Sequence, residues 1–181
     1  MGYEIENAKH FLSVIPPDVF TRKEKLKILN TNMLALDTIV KDVHFNEKYP
    51  QFNNVLITNT QNSIGYKYDE KKFVAVEKSE LIHEIINARM GDIVFFQEEL
   101  ENDIKPIVNE RILKLINKMD NDKKYIENKS KEIKLIIYNN KEMIEKIRNN
   151  LLEDVDKSRQ SRNFFRIKVI LLLCKSICLT L

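Results

Sequence analysis

Apolar positions along the chain change period twice, and the changes divide it. In the first stretch they recur at helical spacing: Met33, Leu36, Ile39, Val40 and Val43 fall on one face of a helix expected over 32–43. A shorter helix precedes it. Pro16-Pro17 stop any helix in the lead, and Thr21 followed by Glu24 has the spacing of a capping box that opens a helix reaching about Leu29. From Val55 the period drops to two. Strands are expected over 55–58, 64–68 and 73–76, joined by short polar links at 59–63 and 69–72 that favour antiparallel hairpins. Alternation puts Ile64, Tyr66 and Tyr68 on one face of the second strand, and sets Val74 and Val76 against Phe73 and Ala75 on the third.

Helical spacing returns after Ser79. Leu81, Ile82, Ile85, Ile86, Met90 and Ile93 form a stripe that Leu100 closes, with Gly91 inside it as a point where the helix can break. Pro106 suits the first turn of the next helix, whose face is Ile107, Val108, Ile112, Leu115, Ile116 and Met119, and Asp120-Asn121-Asp122 interrupt it. From Ile126 the apolar steps alternate between four and three: Ile126, Ser130, Ile133, Ile137, Asn140, Ile144, Ile147 and Leu151. That is a heptad seam with Asn140 as a register-setting polar position. Ile136 and Met143 widen it, and a wide face favours packing in a globular bundle.

These patterns predict an α+β fold: short N-terminal helices, a three-stranded antiparallel meander, then long C-terminal helices. The expected organisation is a lead at 1–20, an α+β domain at 21–120, a long amphipathic helix at 121–156 and a basic then apolar tail at 157–181. A three-stranded meander needs a covering layer. The helix at 79–100 is expected to supply it, with the stripe Ile57, Tyr66 and Val74 against Ile82, Ile86 and Ile93.

Charge sharpens the division. The net charge of +3 is a property of the C-terminus. Lys157, Arg159, Arg162, Arg166, Lys168 and Lys175 face no acid from 157 onward, so the rest of the chain carries 24 basic and 27 acidic groups. A basic footprint for nucleic acid is therefore missing from the body. The apolar run at 169–181 contains Lys175 and falls short of the ~20 residues a spanning helix needs. With Arg162, Arg166 and Lys168 before it, contact with a membrane surface is one expectation for this tail; a sequence under no functional selection is the other. The only cysteines, Cys174 and Cys178, cannot build a disulfide framework or zinc knuckle in the body, which points to a reducing, intracellular setting. No secretory signal is expected at 1–15, where Glu4 and Glu6 break the apolar run.

Candidate chemistry is sparse, and no cofactor is expected. His44-x-Asn46 with Asn53 and Asn54 has the residue types of a His-Asn nuclease core, where His activates water and Asn orients it. That chemistry also needs converging metal ligands, and Asp42 and Glu47 are the only carboxylates close in sequence. The structural reading is that these residues cap a helix and shape a turn. Asp120-x-Asp122 opens like a calcium loop, but Tyr125 and Lys131 stand where Gly and Glu are required. Tyr66, Tyr68 and Phe73 could stack bases on a sheet, with Arg159, Arg162 and Arg166 as phosphate contacts; strand aromatics more often pair with one another. No Gly-rich phosphate loop or nucleophile triad is present.

The run V-H-F-N-E-K-Y-P-Q-F-N-N-V-L-I-T-N carries a family likeness. It resembles a segment of uncharacterised proteins of giant nucleocytoplasmic large DNA viruses, in which I-H-F-N is followed by P-E-N-H-N and a strand. His44, Phe45, Asn46, Pro50 and Asn54 match, whereas Gln51, Phe52 and Asn53 depart, and with them goes the second His. The likeness extends through K-Y-D-E-K-K-F-V to Tyr138-Asn139-Asn140, about two-thirds of the chain, and fades before the basic tail. The relatives often carry a C2H2 zinc finger and a coiled coil ahead of this segment; here no Cys precedes Cys174. The resemblance implies a viral protein working inside an infected host cell, and implies no established activity. The expected function is a non-enzymatic interaction or oligomerisation module, binding a protein partner or itself through the seam Ile126, Ile133, Ile137, Asn140, Ile144, Ile147 and Leu151. Nucleic-acid binding is the alternative, and a metal-dependent nuclease the last.

Overall fold

The computed structural model describes residues 19–49, 52–69 and 72–146. The chain divides after Ile144 into two compact units, and the fold below is that of the first. The expectations placed on the lead, on Pro50, Ile147 and Leu151, and on the tail with Arg159, Arg162 and Arg166 lie outside the described residues.

Helix α1 spans Arg22–Asn30. Its capping box forms as expected: the Thr21 hydroxyl accepts from the Glu24 N–H at 3.3 Å, and Glu24 Oε2 accepts from the Thr21 N–H at 2.9 Å. Glu24 also takes the Lys48 ammonium at 2.6 Å. That hydrogen bond, with the Thr21 donors, holds the carboxyl at about 2 against the desolvation that opposes it. Asn32 adopts φ 56°, a left-handed conformation that Asn tolerates. It turns the chain into a 3-10 turn, Asn32–Leu34, and then α2, Ala35–His44. The helix expected from residue 32 therefore begins three residues later, because the reversal at Asn32 uses the first turn.

The sheet has strands β1 (Val55–Leu56), β2 (Ile64–Asp69) and β3 (Lys72–Glu77), antiparallel in the order β1-β2-β3. Helix α3, Lys78–Glu99, crosses one face. Two observations fix which face. A β-carbon at Gly65 would stand 2.7 Å from Leu81 Cδ2 of α3, so a larger residue here would force that buried side chain to shift. Two residues on, Lys67 pairs with Glu84 of α3 at 3.1 Å. The register sets Gly65 opposite Val76, Lys67 opposite Val74, Tyr66 opposite Ala75 and Tyr68 opposite Phe73. Hence Val74 and Val76 face α3, while Ile64, Tyr66, Tyr68, Phe73 and Ala75 lie on the outer face. This corrects the expected stripe: Tyr66 and Val74 are on opposite faces, since Val74 is paired with Lys67. Lys78, buried at the start of α3, donates to the carbonyls of Asn59 and Asn62 and so closes the β1–β2 connection.

Helix α3 runs unbroken through Gly91. Its stripe of Leu81, Ile82, Ile85, Ile86, Ile93 and Phe96 is buried on both sides of that residue, and packing outweighs the propensity cost of about 1 kcal/mol. Helix α4, Pro106–Asn121, starts on its proline. Helix α5, Lys123–Asn139, starts on Asp122, whose carboxylate accepts from the Tyr125 N–H at 3.0 Å. Among the described residues the helix expected over 121–156 is interrupted once. Helix α5 stops at Asn139, Asn140 caps it through N–H bonds to Ile137 and Tyr138 carbonyls, and helical residues resume at 141–146. Nor is α5 an appendage: it packs on α2, α3, α4 and β1. Ile133 and Ile137 join Leu36, Ile39, Val40, Ile85, Ile112 and Leu115 in one core. Two buried lysines tie layers together, Lys129 to Asp37 of α2 and Lys25 to Glu99 of α3, each at 2.6 Å. No helix among the described residues is long and apolar enough to cross a membrane.

Candidate functional site

Helix α2 ends on His44, and the connection to β1 folds back under it. The segment is knitted by its own asparagines. Asn46 Oδ1 accepts from the Lys48 N–H at 2.9 Å, and the Asn46 carbonyl accepts from the Tyr49 N–H at 3.1 Å and from Asn53 Nδ2 at 3.2 Å. The Asn54 carbonyl then accepts from the Tyr68 N–H at 2.9 Å, joining the segment to the sheet. His44 sits inside this wrap, 1% exposed. Its Nδ1 lies 3.1 Å from the Phe52 carbonyl oxygen and 3.4 Å from Asn54 Oδ1. A carbonyl only accepts, so Nδ1 carries the hydrogen and Nε2 is the unprotonated nitrogen of a neutral ring.

The surroundings keep the ring neutral. Burial comes first and the positive charge of Arg89 second, together lowering His44 to about 3; the bonds to Phe52 and Asn54 oppose them only in part. Arg89 belongs to α3 and is 1% exposed. Its Nε lies 3.0 Å from Oδ2 of Asp92, one helical turn on and fully buried. A second proton on His44 would put two cations side by side where water cannot screen them.

The arrangement brings His44, Phe45, Asn46 and Asn54 together as the wall of a closed connection. It does not bring the nuclease partners together. A general base must come within about 3 Å of the proton it takes, and His44 offers solvent no approach. Asp42 points elsewhere and pairs with Lys27 at 3.3 Å, while Glu47 is exposed. His83 is exposed on α3, with Nε2 3.0 Å from Asn87 Nδ2. Among the described residues no three His, Cys, Asp or Glu side chains group as metal ligands.

The heptad seam is used within the fold. Ile133, Ile137 and Ile144 are buried, Ile126 and Asn140 half-buried, and Asn140 Nδ2 donates to the Ile136 carbonyl at 2.8 Å instead of across an interface. Ile133 and Ile137 are therefore part of the core, where α5 packs on α2, α3, α4 and β1. Tyr66 and Tyr68 are half-buried on the outer sheet face, Tyr66 packed against the core, and Tyr68 and Phe73 meet edge to face with centroids 5.4 Å apart. Ile64 is 39% exposed beside them, and Ala75 is exposed between the strands' aromatics.

Arg89 and Asp92 escape a reading of the sequence that looks for catalytic patterns. The signal was present: Arg89 falls four residues after Ile85 and three after Ile86, a charge on the apolar stripe itself. Lys129, four before Ile133, repeats that signal on α5. Comparison of the chain with family models, with curated proteins and with solved structures finds no match.

Proposed function

We propose that this chain is a non-catalytic protein-interaction module of a large DNA virus, acting inside the infected cell and docking through the outer face of its sheet. One observation carries the reading. Ile64, Tyr68 and Ala75 form an apolar and aromatic strip turned away from α3, bordered by Tyr66, which is half-buried against the core, while the helix stripes Leu81 to Phe96 and Val108 to Met119 are buried. Tyrosines with a wet hydroxyl and an apolar body are enriched at protein interfaces. The reading favours the sheet over the C-terminal seam because Ile133 and Ile137 of α5 are buried in the core.

The test is light scattering on the purified chain beside an Ile64→Asp, Tyr68→Ser variant. Self-association lost in the variant, with unchanged far-ultraviolet circular dichroism, supports the reading. A wild-type chain that stays monomeric at high concentration, and whose partners in expressing cells are unaffected by the variant, overturns it. Nucleic-acid binding is the second reading, favoured by the adjacency of Tyr66 and Tyr68 on a sheet. It predicts DNA or RNA affinity that falls steeply with salt. No binding at low salt removes it.

A further inference from the structure

We draw no further inference here: the strongest candidate, the buried side-chain cluster of His44, Arg89 and Asp92 between α2 and α3, belongs to the site already described, where it holds the polypeptide closed and presents no face to a ligand.

Discussion

His44 Nδ1 and the Phe52 carbonyl oxygen lie 3.1 Å apart, and this contact joins the last residue of α2 to the connection that leads into β1. The imidazole acts here as a neutral donor whose other nitrogen is enclosed. Its chemistry is that of a brace, and its proton affinity becomes a property of stability.

Acid should therefore weaken the fold before its carboxylates titrate. His44 stands at about 3 in the folded chain against an ordinary 6.5, so between those values the unfolded chain holds the extra proton. Its contribution is complete above pH 6.5 and is lost as pH falls toward 3. By pH 4.5 the loss should reach about 2–3 kcal/mol. Glu24, lowered from 4.5 to about 2, adds its own loss only below 4.5. Urea unfolding at pH 7, 6, 5 and 4.5 reads the slope. His44→Asn keeps an N–H toward Phe52 but cannot titrate, and its stability should be less steep over the same range. An equal slope in wild type and variant would contradict the assignment.

Gly65→Ala should destabilise by about 1–3 kcal/mol, the usual cost of overfilling a tight contact. The added carbon meets Leu81 Cδ2 at 2.7 Å and the Lys78 Cα at 3.6 Å, and Leu81 is fully buried. Leu81→Ala makes room, so in the double variant the two effects should sum to less than their separate costs. Denaturation midpoints of the four proteins decide it.

Lys129→Ala should cost about 3 kcal/mol, the low end for breaking a buried pair, because it leaves the Asp37 carboxylate facing an apolar layer. The Nζ–Oδ2 distance is 2.6 Å and both side chains are largely enclosed. Glu132, at the same distance from Nζ, is more exposed and can turn to water. The pair Lys129→Met, Asp37→Leu should regain most of the loss. If Lys129→Ala melts at the wild-type temperature, the tie contributes nothing to the joining of α5 and α2.

Periodicity made the elements legible and left their relations open. The switch from helical spacing to alternation and back located α1 to α5 and three strands, because burying one face of each element imposes that period. Which face of the sheet receives α3 was not written in any one strand. It depends on register, and the β2–β3 pairing that sets Lys67 against Val74 turns Tyr66 outward. The heptad spacing of Ile126 to Ile144 was real, but a seam does not declare whether another chain or the rest of its own fold fills it. His44 and Asn54 were visible as a motif. Arg89 was not, since its role appears only when α3 carries it to the ring from across the core.

The relation between Arg89 and His44 can be read by titration. Two causes lower the imidazole, burial first and the guanidinium charge second. Arg89→Met removes the second and keeps much of the side-chain volume, so the His44 pKa should rise. It should remain below 6.5, because the ring stays buried. Titration of the His44 ring protons by nuclear magnetic resonance reads this directly. The same substitution takes the guanidinium from Asp92, whose carboxylate is fully buried, and should cost about 3–5 kcal/mol. Asp92→Leu in the same chain should restore much of that loss and leave the His44 shift in place. The two readouts separate the roles. If Arg89 only balances Asp92, stability changes and the ring pKa does not. If it also holds the ring neutral, both change, and the pH window over which acid weakens the fold, still opening at 6.5, narrows from its lower end so that less stability is lost to acid.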